Sequence, residues 1–426
     1  MTHSFLRVRP AAALSAAVAL TVLVGCAAGT PTASAPTSSS HDHAEGTEQS
    51  APTPRLVVTY DGGLAVLDAN SLETEATVEL DGYNRVNLLG DGRHAAVSTA
   101  GRWAVLDAGT WSQPHGDHAH SYTAEPRLTD LAVDATTPGH VVNHGGFTAF
   151  FDDGTGEVTV VESDLWTHMV EEGHLDVSRE YTTAEVHHGV AVVTQDNTML
   201  VTVGDEESRT GAMLLDASDE VVAESNECPG VHGETAFTNT SDEELLMVGC
   251  EDGAAVFHDD HVHKISAPDD FGRIGNLFSS EGSDLVLGDY KTDPEGGIGL
   301  TQITLIDTAG ETIIPVDPFA GAAAEYTWRG LARGAEGEVL VLGTDGHLRV
   351  LDPATGDEVR SVPVIGAWEV PEDWQTDHPA LTVLDGMAYV TEPATNQVFI
   401  VDYAGGEVWK SADVGVAVNE IVGVTG

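Results

Sequence analysis

Positive charge is scarce in this chain: seventeen lysines and arginines stand against sixty-nine aspartates and glutamates, for a formal net charge of -52. Such a field repels nucleic acid and anionic lipid head groups and gathers cations near the surface. The same charge also serves solubility in salty surroundings, so it identifies no metal site by itself. Cysteine is nearly absent, with only Cys26, Cys228 and Cys250. There is no long hydrophobic run either. The apolar stretch from Ala11 to Val24 is too short to span a bilayer as an ordinary membrane helix. Helical periodicity is nearly missing, which argues for one all-β unit. Among catalytic motifs there is no G-x-S-x-G elbow, Walker loop, dinucleotide fingerprint, H-E-x-x-H helix or C-x-x-C-H haem site. Paired carboxylates are everywhere in so acidic a chain and say little about acid–base chemistry.

The N-terminus reads as an export signal. Arg7 and Arg9 precede the apolar run, which ends in Leu23-Val24-Gly25-Cys26, the pattern of a lipoprotein signal. Residues 1–25 are then removed and Cys26 becomes a lipidated N-terminus, anchoring an exported protein at the outer face of the cytoplasmic membrane. An ordinary secretory peptide cleaved nearby after an alanine is the alternative. Residues 26–54, rich in Ala, Ser, Thr, Pro and Gly, bury too little surface to fold and read as a disordered tether. That tether carries His41, Asp42, His43 and Glu45. Cys228 and Cys250 remain as an even pair in an exported chain, for which a disulfide is the natural reading and two free metal-ligating thiols the rival.

Eight short apolar runs end in aspartate: at Asp68, Asp107, Asp152, Asp216, Asp259, Asp307, Asp352 and Asp402. Their spacing, roughly 40 to 60 residues, is that of a four-stranded propeller blade. Each run is preceded by one apolar strand and followed by another, with Gly, Asp and Asn in the connectors. The aspartate-terminated run is therefore expected to be the third strand of its blade, counting outward from the axis. The first copy lacks an inner strand and the chain ends with a spare one, Asn419 to Val424. A β-propeller over residues 55–426 follows, with eight blades, closed by that C-terminal strand completing the first blade. Seven blades is the alternative, because a polar loop interrupts the second copy's outer strand.

This scaffold sorts the nineteen histidines. His188, His232 and His378 each open an inner strand, so all three lie at one mouth of the channel. His188 and His232 belong to neighbouring blades and are placed to share one ion. His378 sits across the ring and joins them only if the connector Glu162–Thr183, with His168 and His174, folds over the channel. His187 alternates with His188 and points away unless a turn reverses it. Cys228 and Cys250 fall at the same mouth, where a bridge would hold the connector carrying His232. A second cluster, His115, Asp117, His118 and His120, lies on a loop expected to be mobile at the opposite mouth, with imidazole and carboxylate donors suited to weak capture of Zn²⁺ or another borderline metal. His258, His261 and His263 fall on a solvated outer strand.

Four segments carry a resemblance: Ala184-Glu185-Val186-His187-His188-Gly189, Cys228-Pro229-Gly230-Val231-His232-Gly233-Glu234, Asp377-His378-Pro379-Ala380-Leu381, and the loop His115 to His120. Together they resemble the AztD-type zinc metallochaperones, exported β-propellers that bind zinc and pass it to the solute-binding protein of a zinc ABC transporter. The resemblance covers roughly residues 53–426. It implies a non-enzymatic, monomeric protein with Zn²⁺ as its cargo and that solute-binding protein as its partner. The lipidated Cys26 departs from a freely diffusing form and confines transfer to the tether's reach. Two other functions remain open: a metal-dependent, lactonase-like propeller hydrolase, and a protein-interaction propeller whose histidines are incidental.

Overall fold

The repeated aspartate has a local structural reason. Asp68 Oδ1 accepts hydrogen bonds from the backbone N–H groups of Asn70 (3.1 Å) and Ser71 (2.6 Å), and Asp352 Oδ1 does the same for Ala354 (2.8 Å) and Thr355 (3.0 Å). Asp216 and Asp307 repeat the motif toward Ser218 and Gly310. An aspartate at the end of a strand thus closes the tight turn into the next strand, which is why it recurs at the period of a blade.

The computed structural model describes residues 46–426. The expected signal segment, Cys26, His41, His43 and Glu45 lie outside the described residues. From residue 55 onward the chain forms, among the described residues, eight antiparallel sheets of four strands in chain order, the fifth with one further short strand at its side. Alternating β-branched and apolar residues supply both faces of each sheet. Eight apolar clusters fill the spaces between consecutive sheets, and the last of them packs Leu56 and Leu67 of the first sheet against Val398 and Ile400 of the eighth. The fold is a closed β-propeller. Its closure is the one expected: Ile421–Val424 lies antiparallel beside Arg55–Tyr60, with Val424 opposite Arg55 and Ile421 opposite Val58. The pairing covers the edge that Arg55–Tyr60 would otherwise present at the seam. No helix among the described residues is long and apolar enough to cross a membrane.

Three local features differ from the sequence reading. In the third sheet the inner strand is Pro138–His144 and the aspartate-terminated run Phe147–Asp152 is the second strand, not the third. The reason lies one sheet earlier. The apolar run ending at Asp134 belongs to the outer strand of the second sheet, Arg127–Asp134, leaving one strand fewer before Asp152. The histidine loop is also more than a bare connector: it is the tip of a β-hairpin, Thr110–His115 and His118–Thr123, inserted before that outer strand. Finally, the far end of the expected tether is ordered, because Thr47–Gln49 pairs with Ser121–Thr123 of this hairpin. The Trp111 ring stacks on Tyr122 at 5.6 Å and lies so close beneath Gly46 that a Cβ there would collide with it.

Candidate metal centre

The first candidate site is made by three consecutive sheets. His140 lies near the start of the inner strand Pro138–His144, His188 precedes the inner strand Ala191–Val193, and His232 opens the inner strand His232–Thr238. Their rings stand 5.0 Å (His140–His188), 5.3 Å (His140–His232) and 5.2 Å (His188–His232) apart, centre to centre. One ring nitrogen of each falls within 4.8 Å of the others.

Each imidazole is oriented from behind. The Nδ1 of His188 meets Asp153 Oδ2 at 2.5 Å, that of His232 meets the Gly275 carbonyl at 2.7 Å, and that of His140 faces Glu234 Oε1 at 3.5 Å. A proton held on Nδ1 leaves the Nε2 lone pair for a cation, which is how carboxylates and carbonyls fix metal-ligating histidines. The Gly275 carbonyl is itself anchored, since the Gly275 N–H donates to the buried Asp289 carboxylate at 2.6 Å. Gly233 makes this approach possible: its φ is +72°, and a Cβ there would strike the Gly275 carbonyl. Burial, followed by the neighbouring His140, holds the His232 imidazole well below its ordinary pKa, so it stays neutral and ready to ligate. A disulfide joins Cys228 and Cys250, with Cα atoms 4.9 Å apart, and pins the connector that delivers His232. The three rings open into a cavity of about 480 Å³. Three convergent imidazoles beside an open cavity suit Zn²⁺ or another borderline divalent ion.

The second candidate site is the hairpin tip. The rings of His115, His118 and His120 lie 4.9 to 5.4 Å apart, with ligand atoms again within 4.8 Å. His120 Nε2 is 3.2 Å from both His115 Nδ1 and His118 Nε2, while its Nδ1 meets Glu48 Oε1 at 2.7 Å. Asp117 lies 3.2 Å from His118 Nδ1 and is otherwise fully in solvent. His115 and His118 are exposed and His120 is half-buried, whereas in the first trio only His188 is exposed.

Other expected ligands stand apart from both clusters. His378 precedes the inner strand of the eighth sheet, opposite the fourth in a ring of eight, and is only 2% exposed. It packs against Trp328 and Trp368, donates from Nδ1 to the Thr376 carbonyl at 2.7 Å, and leaves Nε2 buried with no hydrogen-bond partner. Burial, then the nearby Arg329 charge, pushes its pKa down to about 4. Both nitrogens of His187 are engaged, with the Glu185 carbonyl and with Thr202 Oγ1, each at 3.0 Å. His168, on the short helix Trp166–Glu172, and His174 beyond it are exposed, and His174 faces only Asp176 at 3.7 Å. The connector Glu162–Thr183 therefore does not bring His378 to His188 and His232. His140 takes the third place, a residue the sequence reading did not single out. Its signal was present: Gly139-His140 opens an inner strand as His232-Gly233 does, but the one-strand offset in the third sheet concealed it.

No family model matches the chain. In sequence it is similar to the zinc chaperone AztD of Citrobacter koseri, 25% identical over 355 residues that cover 79% of this chain and 78% of that protein. The crystal structure of Citrobacter koseri AztD superimposes with a TM-score of 0.74 at 21% identity, covering 88% of this chain and 98% of the other. Its apo form gives 0.72 at 20% identity, with the same coverage. A more distant likeness is to the dihydro-heme d1 dehydrogenase NirN, with a TM-score of 0.52 at 10% identity over 87% of this chain and 75% of that one. The structural likenesses establish the propeller fold.

Proposed function

We propose that this protein is an extracytoplasmic zinc metallochaperone that takes up Zn²⁺ and hands it to the solute-binding protein of a zinc ABC importer without catalytic turnover. The observation that carries this reading is the convergence of His140, His188 and His232, each backed at Nδ1, on one point beside an open cavity. The sequence similarity to a zinc chaperone supports it, and the disulfide agrees with an oxidising compartment outside the cytoplasm. In this reading the trio lining the cavity stores the ion and the hairpin cluster of His115, Asp117, His118 and His120 exchanges it. The lipid on Cys26 keeps both within reach of the membrane transporter.

The test is a transfer assay. The folded domain, loaded with one equivalent of Zn²⁺ and freed of excess, is mixed with the apo solute-binding protein encoded with the importer, and the two are separated and assayed for metal. Zinc is expected on the acceptor, at a rate exceeding dissociation into a chelator. Affinity for Zn²⁺ no tighter than about 1 mM, or retention of the ion in the presence of every candidate acceptor, would refute the proposal.

A further inference from the structure

The cavity that the three imidazoles line also carries two cations that stand in no salt bridge among the described residues. Arg273 and Lys291 line the same cavity. Their backbones exchange hydrogen bonds, Arg273 N–H to Lys291 O at 2.9 Å and Lys291 N–H to Arg273 O at 3.0 Å, as an antiparallel bridge. Residues paired this way project their side chains from one face, and like charges directly opposite one another are destabilising. Among the described residues the Arg273 guanidinium makes no hydrogen bond or ion pair, and Lys291 Nζ reaches only the Gly296 carbonyl, at 2.5 Å. Asp289, the nearby acid, is already occupied by the Gly275 and Asn276 backbone and the Asn276 side chain. Asp289 lines the cavity too and feels the Arg273 charge, but neither cation is in a salt bridge, and in a chain with so great an excess of acids this is an arrangement that a bound anion would complete. A divalent ion on the imidazoles would add to the same positive charge.

We infer that the cavity is a carboxylate site, in which one carboxylate group fills the open position on the metal and is held from the other side by Arg273 and Lys291. This rests on the three-histidine metal site proposed above. Arginine engages a carboxylate with two parallel hydrogen bonds, and a carboxylate oxygen is an ordinary fourth ligand for zinc held by imidazoles. A multiply charged oxyanion fits less well, because Asp153 and Glu234 already stand behind two of the ligands. Trp328 and Trp374 line the remainder of the cavity and offer an apolar surface for the carbon stem of the carboxylate. The group can come from a small free acid or from an aspartate or glutamate side chain of a protein that docks at this mouth. In the second case the acceptor's own ligand would enter the coordination sphere before the ion leaves.

Co²⁺ serves as a visible stand-in for zinc. The domain is loaded with one equivalent of Co²⁺ and titrated with acetate, or with a short end-blocked peptide containing one aspartate, while the d–d absorption is followed. A saturable spectral change is expected in the wild type, and Arg273→Gln or Lys291→Gln should each weaken it about tenfold without weakening Co²⁺ uptake itself. A response to acetate alone identifies a small acid as the occupant, and a stronger response to the peptide identifies a protein side chain. Co²⁺ bound with a spectrum indifferent to both carboxylates overturns the inference while leaving the metal site intact. A change that both variants reproduce at wild-type strength removes Arg273 and Lys291 from it. Failure to bind Co²⁺ at all overturns the metal site and the carboxylate site together.

Discussion

Replacing His140 by alanine separates the geometry seen in the structure from the ligand set expected from sequence. His140 supplies one of three imidazoles converging within 4.8 Å, whereas His378 is enclosed by Trp328 and Trp368 in another part of the ring. Structural zinc sites with four protein or solvent ligands bind with roughly 10–16 kcal/mol, so one ligand accounts for about 3 kcal/mol on an even division. That corresponds to about a hundredfold loss of affinity. His140→Ala is expected to weaken Zn²⁺ binding by that factor, with little effect on folding, because the side chain is only partly buried and faces the cavity. His378→Ala should leave Zn²⁺ affinity within a factor of a few and instead lower the unfolding midpoint, since it removes a buried ring between two indoles. Chelator competition for affinity, run beside urea unfolding for stability, reads both effects on the same samples. Wild-type affinity in His140→Ala, or an equal loss in His378→Ala, would refute the assignment of the trio.

Two further outcomes follow from the same contacts. Converting Cys228 and Cys250 to serine opens a loop of sequence separation 22, for which chain entropy gives a loss of about 3 kcal/mol in stability, measured by denaturant unfolding; Zn²⁺ affinity should fall as well, because the freed connector positions His232. The depressed pKa of His378, about 4 against an unfolded value near 6.5, means that the unfolded chain binds the extra proton first as acid is added. Its contribution is therefore fully present above about pH 6.5 and is lost as pH falls toward 4, by up to about 3 kcal/mol, so urea unfolding of His378→Gln should show a correspondingly shallower decline over that window than the wild type.

The propeller was legible because its signal is repeated: an apolar run closed by aspartate marks a strand–turn junction eight times, and a single misreading cannot hide a period. The seam was legible for a related reason, as an unpaired inner strand at one end of the chain demands a partner at the other. The disulfide was legible as an even pair of cysteines in a chain read as exported, and the strand layout, which put both at one mouth, agreed with it. What could not be read was the strand count inside one repeat. Asp152 caps the turn after a second strand, with its carboxylate accepting from the Thr136, Thr137 and Gly154 N–H groups, and nothing in the local sequence distinguishes it from an aspartate after a third strand. That offset of one strand moved His140 off the inner edge and left His378 as the apparent third ligand. The hairpin was likewise disguised, because His115 to His120 looks like a polar loop until Trp111, Tyr122 and the Thr47–Gln49 strand are seen to brace it.

The two histidine clusters differ in how they are held, and the proposed storage and exchange roles rest on that difference. In the trio lining the cavity the imidazoles come from three sheets whose relative positions are fixed by packed apolar interfaces, so little ordering would remain to be done when an ion arrives. Its second partners, Asp153, Glu234 and the Gly275 carbonyl anchored by Asp289, add directionality. In the hairpin the three rings hang from a small three-stranded sheet apart from the eight four-stranded ones, and Glu48, on its short Thr47–Gln49 strand, meets one of them. An ion there is reached from water on several sides and loses fewer constraints on leaving. If zinc moves from one protein to another, the fast step belongs at the hairpin and the slow, selective step at the ring, where an incoming ligand must enter through the cavity lined by Arg273 and Lys291. On the proposed function, affinity at the trio would set how long the ion is kept, and access to that cavity would set which partner can take it.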